Sequence, residues 1–74
     1  MKIRTNSFTD ELIVKLDESL AGTTYIGFAP LGSATSAATW QIKKMVESAG
    51  VTTITFAGPS FNRVWDDRAS LTYS

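Results

Sequence analysis

Every apolar run in this chain is short. The longest uninterrupted stretch is Leu12-Ile13-Val14, and Gly, Pro and Ser punctuate the rest of the chain. A membrane-spanning helix needs about 20 consecutive apolar residues, so the runs predict short strands joined by turns and no membrane segment. Glu11 to Asp17 alternates, with Leu12, Val14 and Leu16 on one face and Ile13 and Lys15 on the other. A helix competes here, because Leu12, Ile13, Leu16 and Leu20 form a helical stripe with Thr9 as its N-cap. After Ala21-Gly22, Thr23 to Ala29 is rich in strand formers (Thr24, Tyr25, Ile26, Phe28), and pairing the two runs across that turn gives a hairpin.

Pro30-Leu31-Gly32-Ser33 reads as a loop, followed by the small-residue stretch Ala34 to Ala38. From Trp40 to Val46 the periodicity fits two structures. Trp40, Ile42, Lys44 and Val46 alternate as a strand does, while Ala38, Ile42, Met45 and Ala49 form a helical stripe that Gly50 would end. Val51 to Phe56 is almost entirely β-branched or aromatic and reads as a strand ending at Gly58-Pro59. If Trp40 to Val46 pairs with it, Glu47 to Gly50 is the hairpin loop. A last alternating run, Arg68 to Tyr73, reads as a further strand. The fold expected is all-β: one domain over residues 1–74, built as a small antiparallel sheet, or a flattened barrel or sandwich, of four to five short strands. Residues 1–9 are expected to form an extended arm.

Composition limits the chemistry. The 74 residues include no Cys and no His, which leaves no disulfide, thiolate nucleophile, Cys/His zinc site or His-based triad. Seven Lys and Arg balance seven Asp and Glu, without the basic surplus that a duplex or a single-strand groove rewards. Met1-Lys2-Ile3-Arg4 is followed by polar Thr5-Asn6-Ser7 where a signal peptide needs an apolar stretch, and the absence of Cys fits a product of the cell interior. A domain of this size buries only about 60% of its unfolded surface, so its core is thin. With no disulfide or metal to compensate, association with a partner is the leading expectation, a domain that folds alone the alternative.

The clusters that resemble sites are weak. Asp66-Asp67, beside Trp65 and Arg68, could in principle hold a cation, but adjacent strand residues point to opposite faces; a loop carboxylate paired with Arg68 or Arg63 is the expected role. Asp10-Glu11 and Asp17-Glu18 read as solvated turn charges, and Lys43-Lys44 as a solvated basic pair near Glu47. The five glycines are scattered and form no phosphate loop, and no base other than Lys exists to activate the many Ser and Thr. No catalytic, cofactor or metal residue is assigned, and no cofactor or small-molecule substrate is expected. The aromatics are Phe8, Tyr25, Phe28, Trp40, Phe56, Phe61, Trp65 and Tyr73. A core this small cannot hold all of them, and exposed aromatics favour interfaces. Phe28, Phe61, Trp65, Tyr25 and Trp40 are the candidate interface residues, with Trp65 and Phe61 as anchors. Trp40, Trp65 and Tyr25 would alternatively form a platform for stacking a sugar.

Taken in order, Asp10-Glu11-Leu12-Ile13-Val14-Lys15-Leu16, Thr24-Tyr25-Ile26-Gly27-Phe28-Ala29, Gly32 to Ser36, Trp40-Gln41-Ile42-Lys43-Lys44 and Val64-Trp65-Asp66-Asp67-Arg68-Ala69-Ser70-Leu71-Thr72-Tyr73 form one pattern. It resembles that of small virion-associated structural proteins of tailed bacteriophages, over nearly the whole chain from Asp10, with the closing run its most specific part. The resemblance implies a non-catalytic, β-rich subunit of a phage particle, made in the host cytoplasm and acting through self-association and contacts with other virion proteins. Tail or neck is the expected place; capsid decoration, or a receptor- or carbohydrate-binding module of a tail appendage, is the alternative. It also implies that Trp40 to Val46 is a strand. At Phe28 the chain departs from the pattern, where a charged or small residue is commoner; an exposed aromatic there would mark a contact particular to this protein.

Overall fold

The computed structural model describes residues 12–74; the expected arm over residues 1–9 lies outside them. Four strands form a meander, β1 (Leu12–Leu20), β2 (Thr23–Pro30), β3 (Ala38–Ser48) and β4 (Val51–Phe56), in spatial order β1-β2-β3-β4. All pairings are antiparallel. A two-residue strand, β5 (Arg63–Val64), takes up where β4 leaves off and pairs with β3 at Ala38 and Trp40. The fold is therefore the expected all-β one, as an open antiparallel sheet and not as a barrel. The alternation in the first run and in Trp40 to Val46 prevails over the helical stripes, because β-branched and aromatic residues pack well on a pleated surface and each strand finds a partner by a short turn.

The β1–β2 register runs Leu12↔Pro30 through Asp17↔Tyr25, then slips by one residue before Leu20↔Thr23. The β3–β4 hairpin is tighter than expected. Ser48 pairs with Val51, so the turn is Ala49-Gly50 alone, not Glu47 to Gly50. Both turn residues have positive φ, 53° at Ala49 and 81° at Gly50, which matches the twist of a two-residue hairpin.

The C-terminal run departs from expectation. Trp65–Ser70 is a 3-10 helix, not part of a strand from Arg68 to Tyr73. Its first turn carries Asp66 and Asp67 and its last Arg68, the arrangement that suits a helix dipole. Positions three apart eclipse in a 3-10 helix, so Trp65 and Arg68 share one side; in a strand only residues an even number apart would do so. After the helix the chain is extended again: Ser74 exchanges two backbone hydrogen bonds with Phe56, at 3.0 and 3.1 Å, and so covers part of the free edge of β4.

Candidate interaction surface

Paired residues of adjacent strands share a face, so the registers assign each paired strand side chain to one side of the sheet. The covered side holds Ile13, Tyr25, Gly27, Ala29, Trp40 and Ile42, beneath the 3-10 helix and the C-terminal tail. Trp40 and Ile42 are fully buried. The rings of Trp40 and Trp65 lie 5.5 Å apart at 35°, and the Trp40 indole N–H donates to the Ala34 carbonyl at 3.0 Å. Gly27 makes this possible: a Cβ there would stand 2.5 Å from the Trp65 ring and 2.9 Å from that of Trp40.

Arg68 adds polar ties between the helix and the sheet. It lies with its guanidinium carbon 4.6 Å from the centre of the Trp65 ring, donates from Nε to Asp17 Oδ2 at 2.8 Å, and donates from Nη1 to the Trp65 carbonyl at 3.1 Å. Its own carbonyl accepts from the Tyr73 hydroxyl at 2.8 Å. Asp17 also accepts from the Ser19 hydroxyl and N–H. These hydrogen bonds to Ser19, together with Arg68, hold its carboxyl down at about 2. Tyr73 packs 5.9 Å from Tyr25, and burial, aided by that neighbouring phenol, pushes its hydroxyl up to about 12.

These contacts correct several expectations. Asp17 is not a free turn charge; it is the partner of Arg68, while Asp66 and Asp67 are exposed and bind neither Arg68 nor Arg63. Arg63 instead donates to the Ala57 carbonyl across the Gly58–Asn62 excursion. Lys43 and Lys44 are not one solvated pair: they point to opposite faces, Lys43 over Phe28 and Phe56, Lys44 over Tyr73. Three of the five candidate interface residues, Tyr25, Trp40 and Trp65, are core, which withdraws them both as interface anchors and as a sugar-stacking platform. Their size predicts exposure wrongly because the 3-10 helix supplies a lid that alternation does not reveal. Phe28 is half-buried and Phe61 is 43% exposed, so these two remain at the surface.

The other side of the sheet is the unexpected feature. Across the strands it presents the rows Val14, Phe28 and Gln41; then Leu16, Ile26, Lys43 and Phe56; then Thr24, Met45 and Ile54. Leu16 is 60% exposed, Val14 54% and Ile54 51%. The edge strands turn most of their large apolar residues this way, Leu12, Val14 and Leu16 of β1 and Ile54 and Phe56 of β4, while Lys15 and Asp17 of β1 and Thr53 and Thr55 of β4 lie on the covered side beside Ile13 and Val51. A solvated face would show the reverse alternation. Among the described residues the loop at Gly58 and Pro59 reaches this side of the sheet at one corner, where the Gln41 amide donates to the Pro59 carbonyl at 2.8 Å, and the rest of the face is open. Lys43 stands in its centre, with its ammonium 5.1 Å from the Phe28 ring centre and 5.2 Å from that of Phe56.

The sequence carries a signal for this face. The rows Leu12-Val14-Leu16 and Ile54-Phe56 are visible as alternation, but their common direction emerges only from the register. Among the described residues no three acidic, His or Cys side chains gather into a potential metal site. Compared with protein-family models, with curated proteins and with solved structures, the chain matches none.

Proposed function

We propose that this chain is a non-catalytic structural component of a tailed-phage particle, in the tail or neck, that works by burying the open face of its sheet against itself or other particle proteins. The observation that carries the association is the outward apolar face, with the edge strands oriented to enlarge it. A contiguous apolar patch of this kind marks an interaction site. Among the described residues the buried hydrophobic ones, Tyr25, Ala29, Trp40, Ile42, Ala57 and Trp65, make a core thin enough that a second layer would add materially to stability. The placement in a phage particle is supported by the resemblance that ends in Val64 to Tyr73.

Mass spectrometry of purified particles tests this reading. The expected result is the chain in stoichiometric amount, at about six or twelve copies per particle as cyclic tail and neck assemblies require. Copies in the hundreds would move it to the capsid surface, and absence from particles would refute the reading.

A further inference from the structure

We propose that two copies of the chain pack face to face through the open side of the sheet, about a two-fold axis running along β2 near Ile26 and Phe28. The inference deepens the association reading above and rests on it.

Area is the first argument. Strands about 4.8 Å apart and rows about 6.8 Å apart give a face of roughly 20 by 25 Å, on the order of 500 Å² in projection. That is near the upper end of what a monomer leaves exposed, about 300–600 Å². With the axis along β2, β1 to β3 of the two copies overlap and β4 extends beyond them, so about three-quarters of each face is covered, roughly 750 Å² in total, the size of a weak, reversible interface and not of a permanent one. Layering is the second argument: a twisted antiparallel sheet that buries its inner face against another sheet makes a sandwich with strands about 30° apart, and here only one of the two sheets is present in a single copy.

Charge selects the partner. Lys43 would be enclosed by any occupant of the face, and an enclosed ammonium needs a carboxylate opposite it. Rotation about an axis along β2 lays β1 of one copy over β3 of the other, so Lys43 meets the row of Leu16. Glu18 lies where the β1–β2 register slips, and it borders the same shallow recess as the open-face residues Thr24, Met45 and Glu47. One row, about 6.8 Å, is within the sweep of a lysine's flexible stem. The two-fold operation supplies this Lys43–Glu18 pair twice and sets Ile26 and Phe28 against their own counterparts, as a self-complementary interface requires. An unrelated partner would have to bring its own carboxylate to that spot; a second copy already has one. The chain carries no net charge, so copies do not repel each other overall.

The absence of Cys makes the test direct. Sedimentation equilibrium on the full chain should show a monomer–dimer equilibrium. Ile26→Cys should give a covalent dimer under oxidation or with a short bismaleimide, while Asp66→Cys, on the covered side, should not. Lys43→Glu should weaken the dimer about tenfold or more. Adding Glu18→Lys to it should restore the affinity to within about threefold, with circular dichroism confirming that each variant is folded. A monomer at every concentration, cross-linking through Asp66→Cys in place of Ile26→Cys, or no recovery in the double variant would each overturn the proposal. A chain that is monomeric in solution yet present in purified particles would remove this dimer and leave the structural role standing.

Discussion

The two sides of this sheet are built from similar amounts of apolar material and have opposite fates. On the covered side the central strands contribute Tyr25, Trp40 and Ile42, and Gly27 leaves the hollow into which Trp65 drops. On the open side the edge strands contribute most, with Leu12, Val14 and Leu16 from β1 and Ile54 and Phe56 from β4. Alternation alone does not distinguish them. What decides is the C-terminal segment, which can cover only one side and is held there by Arg68 and Tyr73. The covered side is therefore responsible for folding a single copy, and the open side for what that copy does next. Substitutions on the two sides should separate accordingly.

The largest effect belongs to the lid. Trp65→Ala should remove about 3–5 kcal/mol, the range for deleting a large buried aromatic, and in a domain of this size that approaches the whole stability. Chemical denaturation monitored by circular dichroism measures it. An effect below about 1 kcal/mol would show that the 3-10 helix is an ornament on a sheet that folds without it. Gly27→Ala comes next. Its new methyl cannot coexist with the Trp65 ring at 2.5 Å, and the Trp40 ring at 2.9 Å blocks the other direction. Overpacking of this kind costs about 1–3 kcal/mol. A neutral Gly27→Ala would mean that the two indoles repack freely.

The clamp that holds the lid should also give the covered side a pH signature at both extremes. Asp17 is held at about 2 in the fold, below its ordinary 3.8. The folded state therefore favours its charged form: the contribution is complete above about pH 4 and is lost as pH falls towards 2. Tyr73 is held at about 12, above its ordinary 10. Here the folded state favours the neutral phenol, so the contribution is complete below about pH 10 and is lost as pH rises towards 12. Thermal melts across pH should show both limbs. Asp17→Asn should flatten the acid limb and leave the alkaline one, and Tyr73→Phe should do the converse. An acid limb unchanged in Asp17→Asn would place the controlling carboxylate elsewhere.

Much of this fold is legible in the sequence, because period-two patterns and glycine turns act locally. The β1–β2 hairpin follows from Leu12-Val14-Leu16 facing Ile26-Phe28 around Ala21-Gly22, and Val51 to Phe56 is a strand on composition alone. The 3-10 helix is not legible. Ala69, Leu71 and Tyr73 alternate as strand residues do, and the reason Trp65–Ser70 coils is long-range: Trp65 must enter the hollow at Gly27 while Arg68 reaches Asp17, 51 positions away. The site is legible only in its parts. Phe28 stands on the open face, but for Tyr25, Trp40 and Trp65 the sequence offers only size, and side-chain size does not tell which face a residue takes. Leu16, Lys43 and Ile54 do not stand out as one surface, because an exposed aliphatic is ordinary until its neighbours prove to be aliphatic and exposed too.

The smallest expected effect is the one that most sharpens the contrast. Leu16→Gln and Ile54→Thr remove apolar surface that is 60% and 51% exposed in a single copy. In dilute solution, where the chain is monomeric, each should change stability by no more than about 0.5 kcal/mol, as surface substitutions away from caps and cores do. An equal loss of contact area on the covered side would cost several times that. At concentrations where copies associate, Leu16→Gln should lose the added stability that association confers, because anything that binds only the folded form stabilises it by mass action, whereas Ile54→Thr, on β4 beyond the overlapping strands, should keep most of it. Leu16 lies in the row that meets Lys43, so its substitution should also lower the gain in melting temperature with concentration more than Ile54→Thr does. If both variants are destabilised in the monomer as strongly as Gly27→Ala, the open face is already covered within one copy, and the division of labour between the two sides fails.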